Sequence, residues 1–430
     1  MTVRGQLLYI RAPISRRHSC VYNKVSVFGA PQPMHEPPPH TFVSIFFGRH
    51  ENCCRTSRLK RFTVFGWPTR KKHERPGSPT CSHLSLSPQF SRHPAPIWHS
   101  GMSHSWQDLL VAGCACVGVA SMVVGARATC KLALMLLNHC DGDTRAAVLN
   151  PSAYKGKTVW ITGASSGLGK ELAMQVGQLG AKVILSARGV EAMEAVKAEL
   201  VAAGFHDVAI LPVDLSNLDV LPEVAQRAIA CFGGVDVFIN NAGFTQRDIA
   251  ANTEFAVDVH MINVDFLAGV CLTKALLPSM AARGGGRLIN VTSLAGKVGI
   301  PLRTAYCGAK HAMQGFFDAL RAEEAARGSG IGVTNVCPGS VRTNVAKNAI
   351  TNKVGKLRGQ TDVNIEAGLN PRWVCERILA AACSDVDEMW VANAKEMLLV
   401  CLSQYVPNFA KRRLRKAAKD MIAQTLADAQ

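Results

Sequence analysis

Between residues 155 and 336, short apolar runs alternate with longer stretches of helical period, and this alternation leaves few folds open. The runs at 158–162, 182–186, 208–213, 235–239, 287–291 and 332–336 have strand length. Between them, 172–179, 190–203, 221–232, 257–278 and 305–326 carry helical patterns. Strands joined through helices of this length pair in parallel, because each crossover returns the chain to the same end of the sheet. The expected architecture is α/β, a doubly wound parallel sheet, in a single catalytic domain spanning 151–395.

The flanks read differently. Residues 1–101 hold 12 of the 20 prolines and 8 of the 13 histidines, and no apolar period lasts long enough for an amphipathic helix. This stretch reads as a disordered extension or a targeting segment, or as sequence upstream of a start at Met102. Residues 1–108 carry fifteen Lys/Arg against four Asp/Glu, so +11 of the formal +17 lies there. The basic balance therefore does not describe the catalytic body, and no nucleic-acid partner is expected. An uncharged run of 18 residues, 109–126, precedes the folded part. It is long enough for a single membrane-anchor helix, with a buried helix as the competing reading, and 102–150 is read as anchor and linker. Of the 15 cysteines, Cys231, Cys271, Cys307 and Cys337 sit in apolar segments, where a reduced thiol packs as a small hydrophobe. Cys53, Cys54, Cys81 and His83 fit no zinc spacing, and no metal is expected.

Four constellations carry chemistry. Gly163, Ser165, Ser166, Gly167, Leu168 and Gly169 form the turn between the first strand and first helix. There, backbone N–H groups and a helix N-terminus meet a dinucleotide pyrophosphate in a Rossmann-type sheet. Beyond the second strand stands Arg188, where an NAD site would present an acid. A guanidinium suits a 2′-phosphate, so NADP(H) is favoured over NAD(H), a solvated arginine being the plainer alternative. Asn240, Ala242 and Gly243 end the fourth strand, and Asp214 ends the third, placed to meet an adenine or to cap a helix. Finally Ser293 precedes Tyr306-x-x-x-Lys310. Four residues apart on a helix, Tyr306 and Lys310 share one face. An ammonium held beside a phenol favours the phenolate and makes the tyrosine a usable acid/base, while a serine hydroxyl can donate to a carbonyl oxygen. Asn263, inside the long helix, is a polar residue where propensity disfavours one.

Together with Pro338, Gly339 and Thr343, these motifs resemble the short-chain dehydrogenase/reductase family, of the non-extended type, over residues 155–395. Within it, 290–297 and 306–317, with 305–312 and 333–338, are similar to the family's membrane-bound members, such as the 11-beta-hydroxysteroid dehydrogenases. The resemblance implies Tyr306 as acid/base, Lys310 as its modifier and a nicotinamide-ribose ligand, Ser293 as carbonyl orienter and Asn263 as holder of a relay water. It implies cofactor contacts from Gly163, Ser165, Gly167, Leu168, Arg188, Asp214, Asn240 and Thr343. The implied activity interconverts a carbonyl and an alcohol on a lipophilic substrate such as a steroid or retinoid. A 3-ketosphinganine-type reductase and a non-catalytic dinucleotide-binding scaffold are the alternatives. Membrane association, at the endoplasmic reticulum, and a homodimer are further expectations. The tail, 396–430, pairs an apolar stretch with Lys411, Arg412, Arg413, Arg415, Lys416 and Lys419, which suits either an anionic lipid surface or a solvated helix.

Overall fold

The computed structural model describes residues 124–427. The expectations placed on 1–101, and all of the 109–126 run before residue 124, lie outside the described residues.

Seven parallel strands form one sheet in the order β3-β2-β1-β4-β5-β6-β7. They are β1 (Thr158–Thr162), β2 (Lys182–Ser186), β3 (Val208–Ile210), β4 (Val237–Asn240), β5 (Gly286–Val291), β6 (Ile331–Pro338) and β7 (Glu388–Val391). The central strands are apolar on both faces because helices cover both: every residue of β1 and of β4 is buried. One face packs against α3 (Gly167–Gln178), α4 (Val190–Ala202) and α10 (Pro371–Cys383), through Leu172, Val176, Met193, Leu200 and Ile378. The other packs against α5 (Leu221–Phe232), α7 (Ala268–Ala282) and α8 (Thr304–Arg327), through Val224, Leu272, Leu276, Met313 and Phe317. The strand order reverses between β1 and β4, which opens a crevice beyond the carboxyl ends of the strands.

The expected strands at 158–162 and 182–186 and the helix at 221–232 occur with those bounds. β3 stops three residues short of the expected 213. Pro212 follows Leu211 there and has no N–H to extend an edge ladder. The first helix begins five residues earlier than its apolar pattern, at the glycine turn itself. The expected helix at 257–278 is three segments, α6 (Phe255–Ile262), a π turn (Asn263–Leu267) and α7. Together they span Phe255–Ala282, long and apolar enough to cross a membrane at a mean hydropathy of 1.6. Its apolar side is nevertheless committed to the core, where Leu272, Leu276 and Met280 are fully buried.

The body extends beyond the expected 151–395 at both ends. Ahead of it, Asp141 N–H donates to the Trp390 carbonyl at 3.1 Å and Ala392 N–H to that of His139 at 2.8 Å. Past it, α11 (Ala394–Tyr405) buries Met397 and Val400 against Leu294, Val298 and Cys337. A terminal helix, α12 (Pro407–Ala427), adds Leu414 to this cluster, and helical residues 124–138, here α1, add Met135 and Leu136. Two short helices, α2 (Gly142–Ala146) and α9 (Val363–Glu366), complete the α-helices among the described residues. Cys307 and Cys337 are buried as the apolar context implies, whereas Cys231 is exposed, and the cysteines among the described residues are free. Among those residues no cluster of metal-ligating side chains occurs.

Candidate active site

The carboxyl ends of β1, β2, β4, β5 and β6 open onto one cleft of about 690 Å³. Its first wall is the turn between β1 and α3. Gly163 has φ +68°, and a Cβ there would stand 2.8 Å from the Ala242 Cα. A Cβ on Gly169 would lie 2.2 Å from the Gly163 carbonyl oxygen. Both glycines therefore let the turn, the start of α3 and the segment after β4 close on one another. Asn241 fastens them: its Nδ2 donates to the Thr162 carbonyl at 2.9 Å, and its N–H to Thr162 Oγ1 at 3.1 Å. Ser166 precedes α3 without a side-chain cap, which leaves the first N–H groups of the helix for an anion. The Cβ-free cradle and the uncapped helix end fit the pyrophosphate of a dinucleotide.

At the far rim stand Arg188, exposed after β2, and Asp214. Asp214 Oδ1 accepts from Ser216 N–H at 3.0 Å and Ser216 Oγ at 2.8 Å, the local turn that competes with a ligand role. The Ser216 N–H holds the Asp214 carboxyl below its ordinary value, against the opposing effect of partial burial, with Arg188 adding to the lowering. His260 of α6 also lines the cleft and stacks on Phe244, with ring centroids 5.2 Å apart. Burial lowers its imidazole's proton affinity, and Asp214 opposes this.

At the other end three elements bring Ser293, Tyr306 and Lys310 together. Ser293 leaves β5 and caps the short turn 294–296, its Oγ accepting from Ala295 N–H at 3.1 Å and donating to the Pro338 carbonyl at 3.4 Å. Tyr306 and Lys310 lie one turn apart on α8, with Lys310 Nζ 5.7 Å from the centre of the Tyr306 ring. Lys310 is only 3% exposed. Its ammonium donates to the Val291 carbonyl at 3.3 Å and to Met313 Sδ at 3.7 Å.

Of the residues singled out in the sequence, Gly163, Ser165, Ser166, Gly167, Leu168, Arg188, Asp214, Ala242, Gly243, Ser293, Tyr306, Lys310, Pro338, Gly339 and Thr343 line the cleft. Gly169, Asn240 and Asn263 do not. Gly169 acts one layer behind, by letting α3 approach the turn. Asn240 lies behind the cleft wall: its side chain joins a buried ladder across the sheet, Asn240 Nδ2 to Asn290 Oδ1 at 3.4 Å and Asn290 Nδ2 to Asn335 Oδ1 at 3.2 Å. Successive strand residues face opposite ways, so its neighbour Asn241 takes the cleft side. Asn263 opens the π turn of the long helix, and the residue of that turn against Lys310 is Asp265, buried, with Oδ2 3.5 Å from Lys310 Nζ. Sequence reasoning passed over Asp265, although a carboxylate in so apolar a helix was a signal. It also passed over His260.

The short chain dehydrogenase family model matches residues 157–353. The human protein "Dehydrogenase/reductase SDR family member 7" is 36% identical over 268 residues, 61% of this chain and 78% of that one. A Drosophila melanogaster "Dehydrogenase/reductase SDR family protein 7-like" is 39% identical over 268 residues, 60% of this chain and 81% of its own. Among solved structures, a short chain dehydrogenase/reductase from Burkholderia phymatum in complex with NAD superposes with a TM-score of 0.54 at 22% identity, covering 60% of this chain and 95% of that one. The structural likeness carries the fold alone, and the human and fly relatives, matched over more than three quarters of their length, carry the family. The chain belongs to the short-chain dehydrogenase/reductase family and is an oxidoreductase.

Proposed function

We propose that the protein is an NADP(H)-dependent oxidoreductase that interconverts a carbonyl and an alcohol on a lipophilic substrate, with Tyr306 as acid/base. The observation that carries this reading is the convergence of Ser293, Tyr306 and Lys310 at one end of a cleft whose other end is the glycine cradle. When bound, a nicotinamide dinucleotide supplies or accepts the hydride at the carbonyl carbon. Gly163, Ser165, Gly167 and the α3 N-terminus would hold its pyrophosphate, and Asp214 its adenine end. Arg188, positively charged where β2 ends, favours a 2′-phosphate over a bare ribose. In reduction, Ser293 Oγ hydrogen-bonds the oxygen that gathers negative charge and the Tyr306 hydroxyl delivers its proton. Lys310 keeps positive charge beside that transfer.

Ile350, Val354, Leu357 and Ile365 line the same cleft and suit a steroid, a retinoid or a similar apolar body. The reading includes a membrane location, at the endoplasmic reticulum by the family resemblance, and the 109–126 run and α12 support its membrane part. That helix exposes Lys411, Arg412, Arg413, Arg415, Lys416 and Lys419 close to Phe409, 48% exposed, and Tyr405, 85% exposed. The test is NADPH consumption by the wild type and Tyr306→Phe against steroid, retinoid and 3-ketosphinganine carbonyls. Loss of the proton donor should lower kcat by about 10²- to 10⁴-fold. Wild-type turnover by Tyr306→Phe would overturn the assignment.

A further inference from the structure

Where β6 ends, Pro338, Gly339, Val341 and Thr343 line the cleft, whereas Ser340 between them does not. Against Ser340 stands Glu396, in the first turn of α11. Glu396 Oε1 and Oε2 each accept from Ser340 N–H at 3.1 Å, and Oε1 accepts from Ser340 Oγ at 2.5 Å. Gly339 makes this approach possible, since a Cβ there would lie 2.2 Å from Glu396 Oε2 and 2.6 Å from Ala392 Cβ. The helix that carries the glutamate is itself fixed. Asn393 Oδ1 caps it by accepting from Glu396 N–H at 3.1 Å, and Met397 and Val400 are buried. A glutamate three residues past the cap ordinarily reaches back to the N–H of the capping residue. Here both carboxylate oxygens go to Ser340 instead.

The segment held in this way touches both walls of the site. The Pro338 carbonyl accepts from Ser293 Oγ at 3.4 Å. Thr343 lies against the glycine turn, where a Cβ on Gly167 would stand 3.6 Å from the Thr343 Cβ. Backbone bonds also tie the segment, Gly339 N–H to the Val391 carbonyl at 2.8 Å and Leu369 N–H to the Ser340 carbonyl at 2.9 Å. Glu396 adds a charge-assisted contact, which is stronger than a neutral one and comes from a helix outside the cleft. We propose that Glu396 is a positioning residue for the cofactor: it fixes 339–343 at the cleft wall and so couples α11 to the binding of the nicotinamide half of the dinucleotide. The proposal rests on the cleft binding a nicotinamide dinucleotide, as above. The nicotinamide half is the one concerned because β6 borders β5, which ends at Ser293, whereas Arg188 and Asp214 follow β2 and β3 on the other side of the sheet. Such coupling is reciprocal, so a bound cofactor also steadies α11.

The test is calorimetric titration of the full-length protein with NADPH and with adenosine 2′,5′-bisphosphate, which lacks the nicotinamide half. Glu396→Ala should raise the Kd for NADPH about tenfold, the lower range of what one charge-assisted hydrogen bond contributes. The Kd for the bisphosphate should stay as in the wild type. Glu396→Gln keeps an amide oxygen that accepts from Ser340 N–H and should recover most of the loss. Ser340→Ala removes only the hydroxyl and should weaken NADPH in the same sense. In hydrogen exchange, NADPH should slow the α11 amides of the wild type and not those of Glu396→Ala. Wild-type NADPH affinity in both Glu396→Ala and Ser340→Ala would overturn the proposal. So would equal losses for the two ligands, which would make Glu396 a general support of the fold. Should Glu396→Ala not melt cooperatively, the Ser340→Ala titration decides alone. The cofactor reading fails on a different result, a wild type that binds neither ligand, and this proposal then fails with it.

Discussion

Gly169→Ala tests whether the cradle between β1 and α3 is set by close packing. The added Cβ would lie 2.2 Å from the Gly163 carbonyl oxygen, 2.8 Å from the Gly163 carbonyl carbon and 2.6 Å from Asn241 Nδ2. A carbon normally stays about 3.3 Å or more from a carbonyl oxygen, so turn and helix must part by about 1 Å. The strain of overpacking costs about 1–3 kcal/mol, and for a domain of this size each kcal/mol lowers Tm by about 2–4 °C. The functional loss should be larger than the stability loss, because Gly163 and Gly167 are the surfaces a pyrophosphate would touch. A displacement of about 1 Å in a binding element can cost about 10²-fold. The control is Gly308→Ala, on α8 two residues past Tyr306, where an added Cβ meets nothing within 4 Å. Helix propensity there predicts stabilisation of up to about 1 kcal/mol. The assays are thermal melting and NADPH affinity by nucleotide fluorescence. Unaltered affinity and Tm in Gly169→Ala would refute the packing account of the cradle.

Two further outcomes follow from the same geometry. Arg188→Ala should raise the KM for NADPH by about tenfold or more while changing that for NADH little, the loss of one charge-assisted contact; equal effects on both nucleotides would remove Arg188 as the discriminator. Reversing charge on α12, as Lys411→Glu, Arg412→Glu and Arg413→Glu together, should lower binding to phosphatidylserine vesicles and leave binding to neutral vesicles unchanged. Equal retention on anionic vesicles would assign those residues to a solvated helix.

Much of the site was legible because its chemistry depends on local spacing. The Tyr306–Lys310 interval places two side chains on one helical face wherever that helix lies, and a glycine turn after the first strand needs only its own backbone freedom. Asn240 and Asn263 show where spacing stops informing. Asn240 and Asn241 are adjacent and chemically alike, and only the register of β4 against β1 and β5 sends Asn241 to the cleft and Asn240 into the ladder with Asn290. For Asn263 the obstacle was the π turn: a regular 3.6-residue count cannot place the residues within it, and the turn carries Asp265 to Lys310 instead.

The amino-acid order by itself determined the alternation of strands and helices, and with it a parallel sheet, since those properties follow from apolar period and short-range backbone preference. It also carried the Tyr306–Lys310 pair proposed as acid/base and the glycine turn that lines the same cleft. Tertiary structure decided what stands behind that pair. A buried carboxylate at 3.5 Å from Lys310 comes from another helix, 45 positions earlier in the chain. It also decided that α11 and α12 close over the segment between Ser293 and Tyr306, through Met397, Val400 and Leu414. Contacts of that kind arise when distant elements are brought together to bury surface, and no local period in the sequence encodes them.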